Sequence, residues 1–555
     1  MVKVCALHAP KPYIVKCPPQ GLMSIAAYLK GNGVRTDILD ANIHYADLPS
    51  IKRASYEKLL KRKSFSRIFD TVKQDFPEKQ LAEYFRKNSF DIVLLDCQFS
   101  GTANYSFRTC ELIKKVSPGT IVVTGGMHAT IFHKELLEQY PFDVVIRGEG
   151  EEIALELVRR IEGGLRGPEG TGTAETCAAG ESSPGPGKTG SIDLTGIRGI
   201  TYRNGNETAV NPGSGLVMDM DTLFPVYDVY EEFEMDRYRE YVQAVLGPFW
   251  RDQDPAGVIL TSRGCIGRCT FCNGRTIDQG RYRSFSKEYI IRQLTHIYNR
   301  YRPGKFGLYD AMFGGNTDTY KAVCDFFRAR DVEWGFETRI DVMTEDKLNY
   351  VKNTHCKDIL YGLESVNTEV LKFNKKIPKT VKDDYMDKAA RLFKKTRDMK
   401  IICRITVLYG LPGEDNGIFR ETIDFFVKND LRNSYYLEYY FCTPIMYPGT
   451  DLWYSAAPED RCYDWDKFFV VNENIIEEGK IVYKNPDIDM DKLKYYVDNS
   501  ERIINRQDGT EKLTHRISAR SRTIKRIFAE ARKGIGSFLD FKWFMLSLWY
   551  TLIRA

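Results

Sequence analysis

Ser262-Arg-Gly-Cys-Ile-Gly-Arg-Cys-Thr-Phe-Cys-Asn273 carries Cys265, Cys269 and Cys272, with three and then two residues between them. That spacing lets one short loop wrap its thiolates round a single soft metal centre, and Gly264, Gly267 and Gly274 free the backbone to bend toward it. A structural zinc site or a simple ferredoxin cluster takes four protein ligands, whereas three thiolates on a four-iron cluster leave one iron open. Zinc ligands usually come as paired Cys-x2-4-Cys elements. No second pair stands here, the next cysteine being Cys324 in a helical stretch.

The triplet, with aromatic Phe271 before its last cysteine, resembles the signature of the radical S-adenosylmethionine (SAM, AdoMet) enzymes. The resemblance implies a [4Fe-4S] cluster on Cys265, Cys269 and Cys272, with AdoMet chelating the open iron through its amino and carboxylate groups. It also implies an electron donor such as flavodoxin or ferredoxin, whose electron breaks the S–C5′ bond to give a 5′-deoxyadenosyl radical.

The 555-residue length favours two or three domains. A net charge of +5 is small for that size and implies no nucleic-acid partner. The 13 cysteines form no disulfide-like ladder, and Met-Val-Lys-Val-Cys-Ala-Leu opens a strand rather than a secretion signal, so a reducing cytoplasm is expected.

Working back from the cysteine loop, apolar runs at 2–7, 34–40, 91–96, 120–124 and 143–147 alternate with helical patterns, the fold class being α/β with a doubly wound, Rossmann-like parallel sheet. Ligands of such sheets bind at the carboxyl ends of the strands. Those ends carry Pro18-Pro19-Gln20-Gly21, Ser100-Gly101-Thr102, Gly125-Gly126 and Gly148-Glu149-Gly150. No G-x-G-x-x-G follows the first strand, which argues against a dinucleotide. Pro18 to Leu22, Gly125 to Ala129 and Arg147 to Glu151 resemble motifs of the cobalamin-binding domain that precedes the radical domain in cobalamin (B12)-dependent radical SAM enzymes. The resemblance implies a cobalamin site at Pro19, Gly21, Ser100, Thr102, Gly125, Gly126, His128, Gly148 and Glu149. Asp-x-His-x-x-Gly is missing, so no protein imidazole is expected on cobalt.

Residues 161–195, rich in Gly, Ser, Thr and Pro, read as a flexible insertion carrying Cys177. A hairpin at 197–206 and an aromatic stretch fill a connector over 196–250. From 251 to 450 six β/α repeats predict a partial TIM-type barrel, with chemistry at the carboxyl ends of its strands. There the radical SAM resemblance implies AdoMet contacts from Phe271, Asp310, Glu364, Ser365, Arg404, Gly410 and Pro412; Glu337 and Arg339 also lie near strand ends. The remaining 451–555 read as mostly helical. Its tail, basic from Arg520 and aromatic from Phe541 to Ile553, is too short to span a bilayer and fits packing better than a membrane surface.

The expected activity is methyl transfer by way of methylcobalamin to an unactivated carbon, or to phosphinate phosphorus, of a small-molecule, peptide or lipid substrate. Radical oxidation, cyclisation or ring rearrangement without methyl transfer would need the same cofactor residues. A non-catalytic cobalamin or metal sensor is the reading of another class, disfavoured by the crowding of polar groups at the strand ends.

Overall fold

The computed structural model describes residues 2–11, 17–51, 74–166, 192–246, 253–380, 384–468 and 481–505. The expected terminal helix from Arg520, and Cys177 with most of its insertion, lie outside them. The described residues divide into two compact units, one within 1–47, 72–238 and 464–469, the other from the rest. No described helix is long and apolar enough to cross a membrane.

The first unit is a seven-stranded sheet of β1 (Val4–His8), β2 (Thr36–Asp40), β3 (Ile92–Asp96), β4 (Ile121–Gly125), β5 (Val144–Ile146), β6 (Ile200–Asn204) and β7 (Glu207–Val210), in the order β2-β1-β3-β4-β5-β6-β7. β1 to β5 are parallel and form the doubly wound sheet read from the sequence. β1 is buried along its whole length, as a strand with helices on both faces must be. The crossovers leave β1 in opposite directions, so right-handedness puts helices Gln20–Gly31 and Ala103–Val116 on opposite faces and makes the β1/β3 ends the switch point.

Two expectations change here. The hairpin assigned to the connector pairs through β6 with β5, antiparallel, and closes an edge that β5 would otherwise leave open. Its Ile200 and Tyr202 are buried in the sheet. The insertion expected from residue 161 begins later, because helix Glu151–Arg166 runs on through it; Leu157, Val158 and Ile161 keep one apolar stripe, and Ser24 donates to Glu151 at 2.7 Å.

The second unit begins with β8 (Val258–Ile259), then β9 (Ser262–Arg263) and β10 (Arg283–Ser284), an antiparallel pair. β11 (Lys305–Leu308), β12 (Glu333–Arg339), β13 (Cys356–Glu364), β14 (Ile402–Leu408) and β15 (Leu437–Cys442) complete a parallel six-stranded sheet, β15-β14-β13-β12-β11-β8. This is the expected partial barrel. Residues of one parity, such as Trp334 and Phe336 on β12, Ile359, Tyr361 and Leu363 on β13, and Cys403 and Ile405 on β14, are buried against the helices. Phe327 from helix Thr317–Arg328 stacks on Trp334 at 4.8 Å. The other parity, including Glu337, Glu364, Thr406, Tyr440 and Cys442, faces the lumen and stays partly or wholly exposed.

Candidate active site

The cysteine loop leaves the carboxyl end of β8 and is held at its root by Asp310, which follows β11. The fully buried Asp310 carboxylate accepts from the Thr261 amide at 2.8 Å, the Ser262 amide at 2.7 Å and the Thr261 hydroxyl at 2.6 Å. Burial pushes its pKa up to about 6 against the pull of these donors. Asp310 therefore staples the loop from below; the AdoMet contact expected of it is replaced by three internal bonds. Gly264 has φ +85°, and a Cβ there would stand 2.0 Å from the Arg281 carbonyl oxygen, so the β9–β10 pair closes only over glycine. Farther along, the Thr270 amide donates to the Asn374 carbonyl at 3.0 Å, and its hydroxyl to Asn374 Oδ1 at 2.7 Å.

Cys265 and Cys269 are half-buried and Cys272 exposed. Phe271 is half-buried between the last two. Arg339, ending β12, points Nη1 at both Cys265 Sγ, 4.0 Å, and Cys269 Sγ, 3.9 Å. Lys376 is also buried and pairs with Glu364 at 2.9 Å. Among the described residues no three His, Cys, Asp or Glu side chains gather as the ligands of one metal ion. Three cysteines on one loop, with the Arg339 guanidinium set against two of their sulfurs, fit a negatively charged thiolate-held cluster with an open iron.

The other expected AdoMet residues divide. Glu364 stands at the carboxyl end of β13 with φ +69° and accepts from Lys376, with Thr406 at 3.3 Å. Gly410, φ +93°, gives its amide to Glu414 at 2.8 Å, and the Pro412 carbonyl takes the Asn374 side-chain amide at 2.8 Å. These line the strand ends as expected. Ser365 is fully buried and donates to Glu414 at 2.7 Å, so it ties the β13 end to the β14 loop instead of facing a ribose. Arg404 lies near the start of β14. Its fork is taken by Glu438 at 2.8 Å and Asp358 at 3.0 Å, and Lys305 pairs with the same Asp358. The register sets Arg404 opposite Leu360, well before the Glu364 end, so it stands toward the lumen floor with its fork taken by carboxylates of the protein, where a clamp at the strand ends was expected.

In the first unit the expected cobalamin residues collect at strand ends. Pro19 caps helix Gln20–Gly31, and Gly21 is exposed with open space about its Cα. Ser100 shares a hydrogen bond of 2.9 Å with His128 Nδ1, while His128 Nε2 is buried without a partner among Phe107, Phe132 and Trp465. Burial lowers His128 to about 3, so it is neutral. Thr102 turns its hydroxyl to the Phe99 carbonyl at 3.2 Å. Gly125 ends β4; Gly126 has φ +112°, and a Cβ there would meet Gln98 Cα at 2.8 Å, so close backbone approach already demands glycine. Gly148, φ +87°, donates its amide to Thr130 Oγ1 at 3.1 Å. Glu149 departs from expectation: it is buried and accepts from the Val217 amide at 2.8 Å, holding the chain that follows the hairpin.

Apart from His8, which stands out by ending the first strand, several residues here escaped the sequence reading. At the β1/β3 switch point His8 Nδ1 meets Asp40 at 3.0 Å, Tyr238 donates to Asp40 at 2.9 Å, and Asp96 accepts from the Ala9 amide at 2.8 Å and from Lys11 at 3.0 Å. Burial opposes charge on Asp96, yet Lys11, His8 and the Ala9 amide hold it below the usual carboxylate range. Trp465–Phe468 also joins this unit, its Trp465 ring 4.9 Å from Phe132. Nothing near residue 465 foretells that return; His8, however, ends an apolar strand and carries its own signal.

Residues 15–158 match the family described as the B12 binding domain, and residues 259–426 the radical SAM superfamily. The chain is 24% identical over 432 residues to an uncharacterized methyltransferase of Pyrococcus horikoshii, covering 76% of this chain and 82% of that one. It is 24% identical over 411 residues to the anaerobic magnesium-protoporphyrin IX monomethyl ester cyclase of Cereibacter sphaeroides, covering 72% of this chain and 59% of the cyclase. A radical S-adenosylmethionine methyltransferase of Kitasatospora setae, solved with cobalamin and a [4Fe-4S] cluster bound, shares the fold over 90% of each chain, at a TM-score of 0.62 and 15% identity. With a B12-binding domain over the doubly wound sheet and a radical SAM domain over the barrel that bears the cysteine loop, the chain is a radical SAM enzyme of the B12-binding-domain family.

Proposed function

We propose that the chain is a cobalamin-dependent methyltransferase, moving a methyl group from AdoMet by way of cobalamin to an unactivated carbon or a phosphinate phosphorus of a small-molecule, peptide or lipid substrate. The observation that carries this is the cysteine loop at the first barrel strand, backed by Arg339, in one chain with a matched B12-binding domain. In this reading Cys265, Cys269 and Cys272 hold a [4Fe-4S] cluster and leave one iron to AdoMet. Glu364, Gly410 and Pro412 border the AdoMet site. Pro19, Gly21, Ser100 and His128, with the Gly125 to Gly126 turn and Gly148, border the cobalamin site. Bound there, the cofactors supply an adenosyl radical and carry the methyl group, while the protein aims them and excludes water. Glu337, Tyr440 and Cys442 line the lumen in which the substrate is held.

Likeness to the Cereibacter cyclase favours one second reading, radical oxidation or cyclisation without methyl transfer. The two separate on AdoMet with a deuterated methyl group, given to the reconstituted enzyme with a metabolite extract. Label in a new product is the methyltransferase result. Formation of 5′-deoxyadenosine with an unlabelled, oxidised product would overturn methyl transfer in favour of the second reading.

A further inference from the structure

The two cations beside the cysteines are more closely fitted than a staple needs. The Arg339 side chain is 6% exposed and has all its donors directed: Nε to Asp341 at 2.9 Å, Nη2 to Asp341 at 2.8 Å and to the Lys376 carbonyl at 2.6 Å, and Nη1 to the sulfurs of Cys265 and Cys269. Room for that approach comes from the sequence, since a Cβ on Gly267 would stand 2.5 Å from Nη1. The Gly267 amide adds a second donor, 3.3 Å from Cys265 Sγ. Lys376 is 5% exposed, and its backbone carbonyl is the one Arg339 holds, so both cations belong to one network. The counter-charges stand behind them: Asp341 takes the guanidinium edge turned away from sulfur, and Glu364 binds the Lys376 ammonium.

We propose that Arg339 and Lys376 are positioning residues that set the reduction potential of the cluster and raise it, Arg339 by presenting positive charge and N–H donors to the Cys265 and Cys269 thiolates and Lys376 by adding a buried positive charge to the same network. This rests on the reading that the triplet holds a [4Fe-4S] cluster. Reduction adds one negative charge to the cluster, and donors or cations at its sulfurs favour the reduced form more than the oxidised. Burial strengthens the effect, because low local dielectric leaves the cations poorly screened. Raising the potential eases electron uptake from the donor protein and weakens the push on AdoMet, so the pair adjusts the balance between the two steps.

The test is a redox titration of the anaerobically reconstituted full chain, without AdoMet, followed by the electron paramagnetic resonance (EPR) signal of the reduced cluster. Arg339→Gln with wild-type iron and sulfide content should need a more negative potential, with the reduced-to-oxidised ratio at a fixed potential lowered roughly tenfold, equivalent to about 59 mV for one electron. Lys376→Met should move the same way, and Arg339→Lys back toward wild type. A purely structural role would change cluster content and leave the midpoint alone. Unchanged midpoints in Arg339→Gln and Lys376→Met at full cluster content overturn the proposal; if Arg339→Gln takes up no iron, Lys376→Met and Arg339→Lys decide it by the same criterion. A wild-type chain that binds no iron overturns the cluster reading itself, which is a distinct result.

Discussion

Replacing Asp310 with alanine removes the acceptor for two backbone amides and one hydroxyl at the root of the cysteine loop. Thr261 and Ser262 are 1% and 2% exposed, so water does not take the carboxylate's place. Each orphaned buried donor costs about 1–3 kcal/mol. Against that, the variant loses a carboxylate whose own burial is unfavourable, as its pKa of about 6 records. The net is a penalty of about 3 kcal/mol, toward the low end of the summed range, or roughly a hundredfold loss of the ordered loop. Asp310→Asn keeps one oxygen for both amides, and the Thr261 hydroxyl can turn to accept from the new amide, so its cost stays below about 1 kcal/mol. Iron and sulfide bound per chain after reconstitution, read beside the melting temperature, check this. Wild-type iron content and melting temperature in Asp310→Ala, or equal damage from Asn and Ala, would refute the staple.

Burial pushes Glu414 up to about 7 from the ordinary 4.5. A folded pKa above the unfolded one means its contribution is full below about pH 4.5 and is lost as pH rises through 7; the melting temperature should fall across that window and the fall flatten in Glu414→Gln, an unchanged slope counting against the Ser365–Glu414 lock. Arg404→Ala takes one partner each from Asp358, which keeps Lys305, and Glu438, which keeps the Tyr440 hydroxyl, and with its half-exposed fork should cost about 1–2 kcal/mol of stability while calorimetry shows AdoMet affinity intact; a selective loss of AdoMet binding would restore the clamp. Gly126→Ala combines φ +112° with a Cβ 2.8 Å from Gln98 Cα, so at least about 2 kcal/mol of destabilisation is expected, and a variant as stable as wild type would show that this turn relaxes freely. Cobalamin bound in its Co(II) form should lack nitrogen superhyperfine coupling from the protein, because His8 is held between Asp40 and Asp96, 3.0 and 3.8 Å away; coupling that vanishes in His8→Ala contradicts this.

The cysteine triplet was legible because metal ligation imposes a spacing that survives any background. The strands were legible for a related reason, since a sheet covered on both faces writes runs such as Ile92-Val-Leu-Leu-Asp96. The internal partners of Arg404, Asp310, Ser365 and Glu149 were not legible, because a polar residue near a strand end looks the same whether it meets a ligand or a buried amide. Only partners distant in sequence distinguish the cases: Glu438 for Arg404, Thr261 for Asp310, Glu414 for Ser365 and Val217 for Glu149. Lys376 was hidden by Lys375, whose solvated pairing with Asp451 is what a run of lysines normally suggests. The hairpin at 197–206 was recognised by its turn, but strand pairing with β5 is decided by which edge is open, and the local pattern carries no record of that.

Coupling of radical SAM chemistry to cobalamin-borne methyl transfer in one chain is measurable on the purified full chain, reconstituted with iron, sulfide and cobalamin, reduced, and given AdoMet with a deuterated methyl group. Mass spectrometry of the quenched mixture is predicted to find 5′-deoxyadenosine together with labelled methyl on the protein-bound cobalamin, both lost when Cys269 is replaced by alanine. A chain that holds about four irons and one cobalamin yet produces neither would contradict that coupling.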